Sequence, residues 1–220
     1  MDLRLYLGMY SCVALPLWGA VFALYFILRR NGLARQSLIA KCAGTFLAVG
    51  SAGVALWLKG ENPFCHPFFW FFVLCMAADA LLELHFLSGM LLFGVAHVCW
   101  IVEMLENIPM SIRWSLPIWV ITMVAALILF RRELPKMGVQ AVFCCLYVGI
   151  LAASLAICLP LPWIWGKAGM LIFSVGMLSF FVSDMMVAKA QFSQLGDKLQ
   201  KPIMFLYWLA LYLLSCTLWL

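Results

Sequence analysis

Long apolar stretches recur along the chain, separated by short segments where charge and proline gather. Within each stretch the apolar residues run together and do not alternate with polar ones. That pattern predicts helices and excludes the strands of a membrane barrel. About 20 apolar residues cross a bilayer as a helix. The spans are predicted at 6–28, 38–58, 65–84, 87–105, 113–130, 138–159, 167–189 and 202–220. The expected fold is all-α: one polytopic bundle of about eight transmembrane helices, forming a single domain over 1–220. Pro63, Pro67, Pro109, Pro135, Pro160, Pro162 and Pro202 fall at or near the proposed ends, as helix punctuation should. Pro16 and Pro117 fall just inside, and Pro16 is expected to kink the first span.

Composition narrows the class. Of 220 residues, 67% are hydrophobic and 10% charged, against about 25% charged in a soluble domain. Mean hydropathy is +1.08. A soluble fold of this size cannot hide so much apolar surface. Soluble enzymes, nucleic-acid binders and disordered chains are excluded as first readings. Eight helices leave about 60 residues for connections and ends, too few for a soluble domain. The net charge of +5 reads as topology, not as a nucleic-acid patch. Connections 1, 3, 5 and 7 carry Arg29, Arg30, Arg35, Lys41, Arg131, Arg132, Lys136, Lys189, Lys198 and Lys201. The N-terminus and the other connections carry only Arg4, Lys59, Arg113 and Lys167. The odd connections are therefore expected in the cytoplasm and both termini outside. The first apolar run ends in Arg29-Arg30 without a small-residue cleavage site, as a retained helix would. The nine cysteines show no CxxC and read as free thiols. Size and simplicity suit a bacterial inner membrane.

A charge in hydrocarbon costs at least about 2.5–3.5 kcal/mol, so ionisable residues inside spans are functional candidates. Here they are Asp79 and Glu83 in the third span, His97 in the fourth, Asp184 in the seventh and Lys41 at the start of the second. The third and seventh spans run in the same direction. Asp79 and Asp184 each lie about five residues from the cytoplasmic end, about 7–8 Å deep. Glu83 follows Asp79 by one turn on the same face, nearer the headgroups. Tyr147 and Tyr207 enter from the same side, while His97 lies nearer mid-membrane. These groups converge on one layer, as a pocket open to the inner leaflet requires. Each also has a structural reading: interhelical hydrogen bonds for the aspartates, interfacial anchoring for Lys41 and Glu83. Asp79, Glu83, His97 and Asp184 offer oxygen and nitrogen ligands, but with no HExxH and no His cluster no metal is assigned.

At these residues the chain resembles the YhhN family of lysoplasmalogenase-like membrane proteins. Ala78-Asp79-Ala80-Leu81-Leu82, then Phe86 through Gly89, Phe93, His97 and Trp100, look like the family's Gly-Asp, Phe-x-x-Gly and His pattern. Gly176-Met177-Leu178-Ser179-Phe180-Phe181-Val182-Ser183-Asp184 looks like its Gly-x-x-x-Phe-x-x-Ser-Asp segment. Lys41 matches the basic residue opening the second helix, and Tyr207 through Tyr212 resemble Tyr-x-x-Ala-Gln-Tyr. The similarity runs from about Lys41 to Tyr212. Ala78, Cys42, Trp100 and Leu211 stand where the family usually has Gly, Pro, Tyr and Gln.

The resemblance implies hydrolysis of the vinyl ether of a lysoplasmalogen, a single-chain ether phospholipid, to a fatty aldehyde and a glycerophospho-head group, with no cofactor. Such a bond is cleaved by protonating its β-carbon, which creates an oxocarbenium ion that water then traps. Two neighbouring carboxyls suit this: one keeps its proton and the other stays ionised. Asp79 and Asp184 are the expected catalytic pair, with no assignment of which is the acid. Lys41, Glu83, His97, Tyr147, Ser183 and Tyr207 are the expected binding or orienting residues. Two other functions fit the same residues: a small proton- or cation-coupled transporter, and a non-catalytic lipid-binding membrane protein.

Overall fold

A computed structural model describes residues 3–108, 111–192 and 196–220; within them every predicted span is helical and no strand occurs. The helices are α1 (Leu3–Arg30), α2 (Ala34–Leu58), α3 (Pro67–Leu84), α4 (Phe86–Asn107), α5 (Ile112–Phe130), α6 (Gln140–Cys158), α7 (Leu161–Trp165), α8 (Ala168–Phe192) and α9 (Gly196–Thr217). All but the short α7 are long and apolar enough to cross a membrane. The protein is an all-α polytopic membrane bundle.

Helix ends follow local chemistry. Pro67 occupies the first turn of α3, where a missing N–H costs nothing. Between α6 and α8 the expected bare connection instead folds into α7, opened by prolines and closed by Gly166 at φ +62°. Pro16 lies inside α1, as the sequence placed it. One other boundary differs from expectation: α9 starts at Gly196, so Pro202 lies in its second turn and not at its start. The extra turn is polar, so hydropathy alone does not reveal it. Pro109 lies outside the described residues.

Packing sets the architecture. α2, α3, α4, α6, α8 and α9 form a closed ring, each against the next and α9 back against α2. α1 lies outside this ring on α2 and α9, and α5 lies outside it on α6. These two are the least buried spans, as lipid-facing helices should be. One half of the ring's interior is filled with aromatic rings, among them Phe68, Phe71, Phe72, Trp100, Phe173 and Phe180, packed edge-to-face or tilted. Where helices approach most closely the chain carries glycine. A Cβ on Gly89 would stand 2.5 Å from the backbone of Leu82, so α4 folds back on α3 with no room for a side chain. Toward the end of the bundle where α3 and α8 finish, the interior holds Lys41, Asp79 and Asp184.

Candidate active site

All six ring helices contribute to one small cavity of about 50 Å³. Its polar walls are Lys41 of α2, Asp79 of α3, Tyr147 of α6, Ser183 and Asp184 of α8 and Tyr207 of α9. Apolar side chains surround them, including Phe93, Met90, Met185 and Met204. Helix direction explains the convergence. α2, α4, α6 and α9 start at this end of the bundle and α3 and α8 finish there, so residues near those ends share one level.

The two carboxyls have different surroundings. Asp79 is almost fully buried and saturated with donors. Lys41 Nζ lies 3.2 Å from Oδ1. The hydroxyls of Thr45 and Tyr207 donate to Oδ2 at 2.5 and 2.8 Å. One cation and two hydroxyls are the setting of an ionised carboxylate. Asp184 is only partly buried. Among the described residues its hydrogen-bond partner is Tyr147, whose hydroxyl donates to Oδ2, and no cation pairs with it. The two aspartates thus line one chamber with unlike partners.

The other predicted residues fall in different places. Ser183 lines the chamber but donates its hydroxyl to the carbonyl of Ile203, 3.1 Å away, tying α8 to α9. Glu83 is one turn beyond Asp79, outside the chamber, paired with Arg29 at 3.2 Å. His97 does not reach the chamber. It is fully buried, its Nδ1 lies 3.2 Å from the Ser154 hydroxyl, and its Nε2 has no partner among the described residues. The Phe180 ring touches both His97 and Tyr207 and fills the space between them. His97 therefore orients neither carboxyl by contact. Lys41 lines the chamber and is committed to Asp79. Leu211 is fully buried in the core and does not line the chamber.

Sequence reasoning missed two residues. Thr45 lies one turn after Lys41 on the same helix face, and that spacing was the available signal. Arg29 read as a topology marker only. Among the described residues no group of three or more His, Cys, Asp or Glu comes together as a metal site. The nine cysteines are all free thiols.

Two further cavities adjoin the chamber. An apolar crevice of about 30 Å³ between α5, α6 and α8 shares Cys144, Val148 and Ala188 with it as walls. A wider vestibule of about 250 Å³ lies at the end of the bundle, beside Lys41, Glu83 and Arg29. The arrangement joins a buried charge pair, a second carboxyl and a greasy side pocket.

No curated relative and no solved structure matches the chain. The sequence model of the YhhN family matches residues 36–218, which include every polar wall of the chamber. By that match over most of its length, the chain belongs to the YhhN family.

Proposed function

We propose that the protein is a membrane-embedded alkenyl ether hydrolase of the lysoplasmalogenase type, acting in the chamber between Asp79 and Asp184. The observation that carries this reading is the unlike pair of carboxyls on one apolar cavity. Family membership is consistent with it.

The reaction assigns the aspartates. Asp184, with a hydroxyl partner and no cation, is the general acid. Its Oδ2 accepts from Tyr147, which leaves Oδ1 to carry the proton. That proton goes to the β-carbon of the vinyl ether, the C=C electrons form the new C–H bond, and the ether oxygen shares the positive charge. Asp184 is then an anion beside the oxocarbenium ion it has made. Asp79, held ionised by Lys41, Thr45 and Tyr207, adds negative charge to the chamber. Water adds to the cationic carbon and Asp184 takes its proton, as the acid of a retaining glycosidase turns base in its second step. Collapse of the hemiacetal releases aldehyde and the glycerol hydroxyl, and no co-reactant other than water is consumed. The saturated Asp79 makes a poor base, so both proton transfers fall to Asp184.

The apolar crevice beside the chamber supports a single-chain lipid as substrate, since its walls are wholly nonpolar and face α5, a lipid-facing helix. The test is aldehyde release from a lysoplasmalogen by purified protein and by its Asp79→Asn and Asp184→Asn variants. Both variants are expected to lose turnover by at least about a hundredfold. Wild-type rates in either variant remove that residue from the mechanism. Proton-coupled uptake into liposomes without lipid turnover would replace the reading with a transporter. Bound lipid without turnover would leave a lipid-binding protein.

A further inference from the structure

The vestibule lies where α1, α3 and α8 end and α2, α4 and α9 begin. It shares Lys41, Leu82, Phe86, Val187, Ile203 and Met204 with the chamber, so the two spaces are neighbours across those side chains. What the vestibule adds is polar. Its own charged walls are Arg29 and Glu83, with Tyr25, Gln191 and Gln200 beside them. Lys41 contributes no uncompensated charge, because Asp79 already matches it.

Arg29 is held from two sides. Its Nη1 lies 3.2 and 3.4 Å from the two carboxylate oxygens of Glu83, and the guanidinium carbon lies 5.9 Å from the centre of the Tyr25 ring. The Tyr25 hydroxyl in turn accepts from Gln200 at 3.3 Å. Glu83 engages only Nη1, whereas a guanidinium carries five N–H donors. Both side chains are about one-third exposed, 37% for Arg29 and 33% for Glu83. A pair this accessible to solvent is weakly held and exchanges partners readily.

We infer that this vestibule is a head-group subsite for a zwitterionic phospholipid, with Arg29 receiving the phosphodiester and Glu83 the ammonium. The charges dictate the class. Among the described residues the vestibule's own charges are one cation and one anion, so a ligand carrying one of each leaves neither unmatched. An anionic head group without an amine sets its phosphate against Glu83. An uncharged glycerol leaves the Arg29–Glu83 pair as it stands and gains nothing from it. Planar guanidinium-to-phosphate pairing is the stronger, charge-assisted contact and sets the orientation. The reacting ether of such a lipid is a few bonds from its phosphate, as the chamber is adjacent to the vestibule. Arg29 sits on α1, outside the residues 36–218 that match the family, so membership alone does not imply this subsite. The inference rests on the hydrolase reading for the reacting bond, while the head-group contacts stand without it.

Two measurements on the purified full-length protein test the inference and separate its failure from that of the hydrolase reading. The first is the ratio of kcat/KM for a choline lysoplasmalogen to that for 1-alkenylglycerol, which lacks the phosphate. Arg29→Gln is expected to lower this ratio roughly tenfold, as loss of one charge-assisted contact does. Arg29→Lys, which keeps the charge and loses the fork, should lower it less. Glu83→Gln should lower turnover of the choline lipid relative to 1-alkenylglycerophosphate, which has no amine. The second is calorimetric binding of lysophosphatidylcholine against monoacylglycerol, with a similar loss of preference in Arg29→Gln. Preferences unchanged from wild type in these variants overturn the inference. If the wild type hydrolyses no alkenyl lipid, the hydrolase reading falls and the binding measurement alone decides the subsite.

Discussion

Lys41 Nζ stands 3.2 Å from Asp79 Oδ1, with the two side chains only 7% and 1% exposed. Neither charge has another ion-pair partner among the described residues. Removing one therefore strands the other in a low-dielectric interior.

Asp79→Asn is expected to destabilise the protein by about 3–5 kcal/mol through the stranded lysine, beyond any effect on catalysis. The double variant Lys41→Met with Asp79→Asn should recover most of that loss. Thermal unfolding in detergent of both single variants and the double variant checks the coupling. Additive losses would mean the two residues do not act as a pair.

Protonation at carbon leaves an isotopic record. Turnover in D2O should place one deuterium on the aldehyde carbon next to the carbonyl, read by mass spectrometry after immediate trapping. In H2(18)O the aldehyde oxygen, not the released glycerol hydroxyl, should carry the label. Label in the glycerol hydroxyl would exclude the oxocarbenium route.

Tyr147→Phe removes the hydroxyl that donates to Asp184. The carboxyl then loses its fixed orientation while the chamber keeps its shape. kcat should fall by about tenfold or more with little change in KM, because positioned proton transfer contributes to the chemical step and not to binding. A rise in KM alone would make Tyr147 a binding residue.

Ala188 forms part of the wall common to the chamber and the apolar crevice. Ala188→Phe should narrow that passage and disfavour long chains. Each buried methylene is worth about 0.8 kcal/mol, so excluding two or three lowers kcat/KM for long-chain substrates by roughly tenfold or more. The check is a chain-length series on wild type and variant. An unaltered profile would place the alkyl chain elsewhere.

Gly89→Ala would put a methyl 2.5 Å from the Cα and N of Leu82, backbone that cannot step aside. Overpacking of this kind costs about 1–3 kcal/mol. Gly50→Ala meets nothing within 4 Å and should be neutral or mildly stabilising. Parallel melting curves of the two variants compare the effects.

The eight spans were legible because hydrocarbon thickness imposes a length and a composition on each. Lys41, Asp79, Tyr147, Asp184 and Tyr207 were legible as a layer because each is polar within an apolar run and helix direction fixes its depth. Depth does not give azimuth. His97 lies deep in the same bundle, yet Phe180 stands between it and Tyr207, and no spacing in the chain announces that ring. Arg29 was hidden by ambiguity. A basic residue at a helix end is a topology marker whether or not a carboxylate waits beside it, and Glu83 is 54 residues away in the chain. The early start of α9 escaped for a third reason: a helix that rises out of the bilayer need not be apolar there.

The methionines around the chamber have a consequence of their own. At about 50 Å³ the space takes no more than a few waters, while Asp79 hangs from a helix pinned by the Gly89–Leu82 contact. Met90, Met185 and Met204 are unbranched and pliable where that backbone is stiff. On the proposed hydrolase reading, lipids of differing girth are admitted by swinging thioethers, with the two carboxyls standing still. Selection by thickness would then be lax, and discrimination would fall to the polar rim.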